Sequence, residues 1–174
     1  MDQMGEEIKA QCGTTLRADC GGLTQCLVWG DRVMAEQICF HLLSNALHAV
    51  APGGSITVGL CRTEQDVTLF VEDDGCGLPE GESWLENRRR FLGGAQAGLL
   101  LCRRYCRQLG WELALLPRSP QGARAELKLP LPARSVPIEA TVEFRSSADR
   151  TPTALQHQLR RELYLLTRKT PLSD

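Results

Sequence analysis

The spacing of apolar and polar positions changes period several times along the chain, and each change marks an element. Two short alternating runs, Leu16 to Asp19 and Cys26 to Trp29, flank the Gly21-Gly22 break and read as strands. After Gly30-Asp31, a turn with an N-cap residue, the period lengthens. Val33, Met34, Ile38, Leu42, Asn45 and Ala49 then recur at helical spacing. Phe40, Leu43 and Ala46 add further apolar positions, so most of this helix is expected to be buried, and Pro52-Gly53-Gly54 ends it.

Period two returns in Ser55 to Leu60, with Ile56, Val58 and Leu60 on one face, and in Val67 to Val71, with Val67, Leu69 and Val71 on one face. The polar stretch Thr63 to Asp66 between them predicts a hairpin. Glu72 to Pro79 is rich in Asp and Gly and reads as a turn. Residues 79 to 97 lack a clear period, carry Arg88-Arg89-Arg90 and read as a loop with one helical turn. From Gly98 a helical pattern runs through Leu99, Cys102, Tyr105, Cys106 and Leu109 to a C-capping Gly110. Trp111 to Leu116 and Ala123 to Leu129 are strand candidates joined by a turn, and Pro130 to Pro137 reads as a linker. A strand at Ile138 to Phe144 and an amphipathic helix at about Pro152 to Arg168 follow, the latter with Leu155, Leu159, Leu163 and Leu166 on one side.

Three polar features interrupt this apolar pattern. His41, Asn45 and His48 sit on the first helix, where an amide and two imidazoles gain nothing from burial without partners or a ligand. Val71-Glu72-Asp73-Asp74-Gly75-Cys76-Gly77-Leu78-Pro79 follows a strand directly; a carboxylate there can accept from an exocyclic amine, and its glycines admit a flat ring or a phosphate. Gly93-Gly94-Ala95-Gln96-Ala97-Gly98 precedes a helix, whose free N–H groups favour phosphate. Taken singly, each has a bland reading: satisfied helix polar groups, an acidic turn, a glycine linker.

Composition narrows the classes. The chain has 174 residues, with 20 Lys+Arg against 21 Asp+Glu, which suits one domain with an appendage and argues against a dedicated nucleic-acid binder. No apolar run is long enough to span a bilayer, and the acidic, polar start is unlike a signal peptide. None of the eight cysteines forms a C-x-x-C pair, and most lie in apolar patterns, as reduced structural thiols do.

The order of the three features carries more than any one of them. A helix with His-x-x-x-Asn-Ala-x-His, two strands, Asp-x-Gly-x-Gly, a loop, and Gly-x-x-x-Gly-Leu at a helix resembles the ATP-binding catalytic domain of sensor histidine kinases. Gyrase B, the MutL repair proteins and the heat-shock chaperone ATPases form the wider group. The resemblance covers about residues 27 to 130. It implies a two-layer α/β sandwich, a mixed β-sheet packed under about three helices with a flexible ATP lid. The ATP-binding domain would occupy residues 1–132, and a C-terminal extension with a helical tail would occupy 133–174.

By position, the resemblance implies that Asn45 holds a magnesium ion bridging the ATP phosphates. Asp73 would accept the adenine amine, with Gly75, Gly77 and Leu78 lining the ring. His48 would contact phosphate, Gly94 and Gly98 would shape the end of the lid, and backbone N–H groups at Leu99 would meet phosphate. His41, one turn before Asn45, would polarise a water or the incoming nucleophile; its titration near neutrality suits that role and equally suits a supporting hydrogen bond.

The implied partners are ATP, a phosphoacceptor histidine domain of a parent kinase and, indirectly, a response regulator, in the cytoplasm or on the cytoplasmic side of a membrane-bound sensor. No dimerising helical hairpin is expected before residue 30, and His157 lacks the acidic neighbour of a phosphoacceptor. Two departures from the family pattern stand out: Gln96 replaces a lid glycine, and Gly122-Ala123 stands where relatives often have Gly-Thr. These leave two alternatives open, a degenerate non-catalytic scaffold and a serine kinase of the anti-sigma-factor type.

Overall fold

The computed structural model describes residues 3–21, 23, 25–78, 95–131, 141–145, 158 and 161. Its elements run in the order α1 (Gln3–Cys12), β1 (Thr15–Asp19), β2 (Gln25–Trp29), α2 (Arg32–Ala49), β3 (Ser55–Arg62), β4 (Asp66–Asp73), α3 (Ala95–Leu109), β5 (Glu112–Pro117), β6 (Ala123–Pro130) and β7 (Thr141–Arg145). Five strands form one sheet in the order β1-β3-β4-β6-β5, with β1 and β3 parallel and every other pair antiparallel. The expected mixed sheet under helices is therefore present.

Strand periodicity decides which residues meet the helices. Val67, Leu69 and Val71 of β4 are buried on the inner face, with Ile56 of β3 and Ala125, Leu127 and Leu129 of β6 beside them. Ile38, Leu42 and Ala46 of α2 and Cys102, Cys106 and Leu109 of α3 close the same core. On the outer face, Phe70 is buried by local devices. Gly59 lies directly opposite it, and the Arg124 guanidinium sits 4.0 Å above its ring, held by Glu72 and Glu126.

Asp31 caps α2 as expected, its side chain accepting from the Met34 N–H at 2.8 Å. The Trp111 indole donates to the Trp29 carbonyl at 2.9 Å, tying the end of α3 to the start of α2.

Three elements differ from the sequence pattern. The helix α1 is not announced by the sequence pattern; its apolar anchor is Ile8, which is buried, while its other described side chains are exposed or half-buried. The strand β4 continues through Glu72 and Asp73, which pattern alone assigns to the turn, because both pair with β3 and β6. The helix α3 starts at Ala95, three residues before the apolar repeat that signals it. The strand expected at Ile138 to Phe144 appears as β7 and pairs antiparallel with β2, Thr141 opposite Trp29 and Arg145 opposite Gln25, so the C-terminal extension returns to the domain. The lid at 79–94, with Gly94, and the helix expected at Pro152 to Arg168 lie outside the described residues, apart from helical Gln158 and Arg161.

Candidate functional site

The site is built where β4 runs out of partners. Period two carries the inner face from Val67 through Val71 to Asp73, so a carboxylate arrives where an apolar residue would otherwise stand, and it is buried. Its Oδ1 accepts from the Gly75 N–H at 2.9 Å and the Ala123 N–H at 3.3 Å. Burial pushes the Asp73 carboxyl above its ordinary value; the two backbone N–H groups and the Arg118 charge partly offset that rise, and Asp74 adds to it. Asp73 is thus a desolvated, oriented acceptor.

The loop after Asp73 is pressed against two neighbours. A Cβ on Gly75 would lie 2.4 Å from the Ala49 carbonyl oxygen, and the Cys76 N–H donates to that oxygen at 3.0 Å. Gly77 adopts φ +76° beside Gly122, whose own Cβ would lie 2.0 Å from the Asp73 carbonyl oxygen. Only backbone without a side chain fits at these contacts.

Ala49 closes a line on α2. His41, Asn45 and Ala49 follow at intervals of four, so they share one stripe of the helix. At one end of the stripe His41 faces the first turns of α3, where a Cβ on Gly98 would lie 2.7 Å from Nδ1. At the other end Ala49 supports Gly75 and Cys76. Between them, Asn45 has an amide nitrogen that is buried and has no hydrogen-bond partner among the described residues. An amide left unsatisfied in a buried position carries a desolvation cost, and it is the kind of group that a ligand completes.

His48 is exposed on the last turn of α2, its Nδ1 2.7 Å from the Ser44 carbonyl, an acceptor, which assigns the proton to Nδ1 and turns Nε2 outward. Leu78 is half-buried at the end of the described loop. Gly98 and Leu99 fall inside α3, whose first residue is Ala95, and Gly98 packs closely against His41.

Sequence reasoning missed Ser55, at the start of β3. Its backbone N–H and hydroxyl donate to the two carboxylate oxygens of Asp74 at 2.8 and 2.7 Å. The only signal was the acidic pair Asp73-Asp74 beside a strand that starts with a hydroxyl residue. Among the described residues, no group of three or more His, Cys, Asp or Glu side chains could hold a metal ion, and no helix is long and apolar enough to cross a membrane.

A sequence profile described as histidine kinase-, DNA gyrase B- and HSP90-like ATPase matches residues 30–133, more than half of the chain. The chain belongs to this ATPase family. Among similar curated proteins, the alginate biosynthesis sensor protein KinB of Pseudomonas aeruginosa is 35% identical over 107 residues, covering 58% of this chain and 18% of KinB. The adaptive-response sensory kinase SasA of Synechocystis is 32% identical over 112 residues, covering 60% of this chain and 29% of SasA. The chain therefore spans less than a third of either sensor kinase. Among solved structures, the mycobacterial sensor histidine kinase MprB superposes with a TM-score of 0.58 at 21% identity, covering 76% of this chain and 93% of that one. The catalytic domain of histidine kinase ThkA superposes with a TM-score of 0.62 at 21% identity, covering 72% and 83%. These likenesses establish the ATPase-family sandwich, and the curated relatives are sensor kinases.

Proposed function

We propose that this chain is the ATP–Mg-binding catalytic module of a two-component sensor histidine kinase, presenting the γ-phosphate to a histidine on a separate dimerisation segment. The observation that carries the reading is the pairing of two unlike groups at one end of the sheet. Asp73 is a buried carboxylate oriented by two N–H groups, and Asn45, on the neighbouring helix, has a buried amide nitrogen with no partner among the described residues.

In this reading Asp73 accepts from the adenine exocyclic amine, and Gly75, Gly77 and Leu78 line the ring. Asn45 would hold magnesium through its Oδ1, while its unpartnered Nδ2, an N–H donor, would donate to a phosphate oxygen. With no acidic or imidazole cluster among the described residues to bind the ion, the nucleotide phosphates would supply the rest of its oxygen ligands. The ion would neutralise phosphate charge when bound. His48 would contact phosphate from the last turn of α2, backbone N–H groups at the start of α3 would meet phosphate together with Gly94 and Gly98 at the lid, and His41 would polarise a water or the incoming nucleophile. Phosphoryl transfer depends mostly on positioning and charge neutralisation, so the acceptor histidine must be docked by a further segment, and a response regulator would receive the phosphoryl group afterwards. Such a module would act in the cytoplasm or on the cytoplasmic side of a membrane-bound sensor. Full-length ShkA, which superposes on this chain with a TM-score of 0.60 at 18% identity, was solved in complex with AMPPNP, which supports the nucleotide reading.

The test is a two-part assay on the whole chain: calorimetric binding of AMPPNP with magnesium, then transfer of labelled phosphate from ATP to an added phosphoacceptor domain. Binding with acid-labile phosphate on the acceptor supports the proposal; acid-stable product would point to a serine kinase. Absence of binding to the folded chain would point to a scaffold.

A further inference from the structure

We infer that Ser55 is a positioning residue for the loop that follows Asp73, acting through Asp74. This rests on the nucleotide reading of that loop, although its geometry stands independently.

Adjacent carboxylates at the end of β4 are put to opposite uses. Asp73 faces inward and takes the N–H groups of Gly75 and Ala123. Asp74, the next residue, is turned toward the start of β3. There its Oδ1 accepts the Ser55 N–H at 2.8 Å, its Oδ2 accepts the Ser55 hydroxyl at 2.7 Å, and its own N–H donates to the Ser55 carbonyl at 3.3 Å. Three hydrogen bonds therefore join residues 19 apart in sequence. The turn before Ser55 is shaped around the same carboxylate: a Cβ on Gly54 would stand 2.6 Å from Asp74 Oδ1 and 2.4 Å from Val50.

Asp74 lies between the two partners of the bond that orients the site. Asp73 accepts and Gly75 donates, so the peptide units on either side of Asp74 set that distance. The loop is held at three places: Asp74 on Ser55, Gly75 and Cys76 on the Ala49 carbonyl, and Gly77 against Gly122. The last two use fixed backbone contacts. Only the first depends on a side-chain hydroxyl, and its partner is a charged carboxylate, the stronger kind of acceptor. Releasing the hydroxyl leaves the Asp74 carboxylate with the Ser55 N–H alone, loosens the Asp74 peptide units and weakens the Gly75 bond to Asp73. Besides these N–H groups, the charged groups acting on Asp73 are Asp74 and Arg118.

The experiment compares the full chain with Ser55→Ala, Ser55→Thr and Asp74→Asn. Carbon-13 NMR follows the titration of the Asp73 carboxyl without nucleotide, and calorimetry measures AMPPNP–Mg affinity. Ser55→Ala should move the Asp73 midpoint upward, because an N–H bond that favours the charged form is weakened, and should lower affinity roughly fivefold, the low end of an ordinary coupling between sites. Ser55→Thr, which keeps the hydroxyl, should restore both. Asp74→Asn keeps one acceptor oxygen but also removes a charge that raises the Asp73 carboxyl, so it is read by affinity alone, which should fall by less than in Ser55→Ala. If Ser55→Ala lowers only thermal stability and leaves the Asp73 midpoint where it was, the inference is overturned. A parent chain that binds no nucleotide defeats the nucleotide reading, while the Asp73 titration still decides the role of Ser55.

Discussion

The His41 imidazole and the Gly98 backbone are in direct apposition: a Cβ at residue 98 would stand 2.7 Å from Nδ1 and 3.1 Å from Cγ. Through this contact the first turns of α3 rest on the middle of α2, one turn from Asn45. A glycine inside a helix ordinarily costs about 0.5–1 kcal/mol relative to alanine, so its presence here reflects lack of space.

Gly98→Ala should therefore destabilise the chain despite its better helix propensity, by about 1–2 kcal/mol as expected of overpacking. Urea denaturation of Gly98→Ala, His41→Ala and the double variant checks this. The two changes together should cost less than the sum of the single costs, by more than about 0.5 kcal/mol. Strict additivity would show that the two residues do not touch.

Asn45→Leu separates stability from ligand binding. It keeps side-chain size and removes a buried nitrogen that has no partner among the described residues. Without nucleotide, thermal unfolding should occur at the same temperature or higher, the gain reaching about 1 kcal/mol. Magnesium-dependent AMPPNP binding should fall by at least tenfold. A large loss of stability in the nucleotide-free variant would mean that Asn45 is a structural residue.

Much of this arrangement is legible in the sequence because α2 and the β3–β4 pair write strong periods. Ile38, Leu42 and Ala46 give the helix, Asp31 its start, and the alternation Val67, Leu69, Val71 the inner face of β4, although the Asp- and Gly-rich run after it puts Asp73 in the turn and hides its burial in the strand. The helix α1 was hidden because Ile8 is the one buried residue among its described side chains. The start of α3 at Ala95 was hidden because Gly98 resembles a helix boundary and turns out to be a packing position. The Ser55–Asp74 clasp depends on strands 19 residues apart coming together, and no local pattern announces such a contact. Pairing of β7 with β2 is of the same kind.

Asp73 and Asp74 should give opposite pH signatures. The Asp74 carboxyl is held below its unperturbed value of 3.8, chiefly by the Ser55 backbone and hydroxyl bonds, so it contributes stability above that value which is lost as pH falls through the lower folded one. Burial raises the Asp73 carboxyl above 3.8, so ionising it in the folded chain takes stability away as pH rises through the raised value. Measured by urea denaturation across the acid range, the stability of Asp73→Asn relative to the parent should rise with pH over that window. That of Asp74→Asn should fall relative to the parent as pH rises from strong acid. The same sign for both variants would contradict the assignment.

Thiol reactivity offers a probe of occupancy. Burial pushes the Cys102 thiol up to about 12 and the Cys106 thiol up to about 11, and both are inaccessible, whereas Cys61 and Cys76 are exposed. Iodoacetamide followed by mass spectrometry should label Cys61 and Cys76 well before Cys102 and Cys106. AMPPNP–Mg should slow labelling of Cys76 and leave Cys61 unchanged. Equal protection of both, or of neither, would place the nucleotide elsewhere.

The central claim is tested most directly by calorimetric titration of AMPPNP with magnesium into the whole chain and into Asp73→Asn. The variant keeps an oxygen to accept from Gly75 and Ala123 but replaces the other with an amide donor, so it should remain folded. Saturable binding by the parent is expected, with a loss in the variant of about 1.5–3 kcal/mol, the worth of a hydrogen bond to a charged acceptor, or roughly 10- to 100-fold in Kd. Equal affinities for parent and variant, or no binding by a parent that unfolds cooperatively, would contradict it.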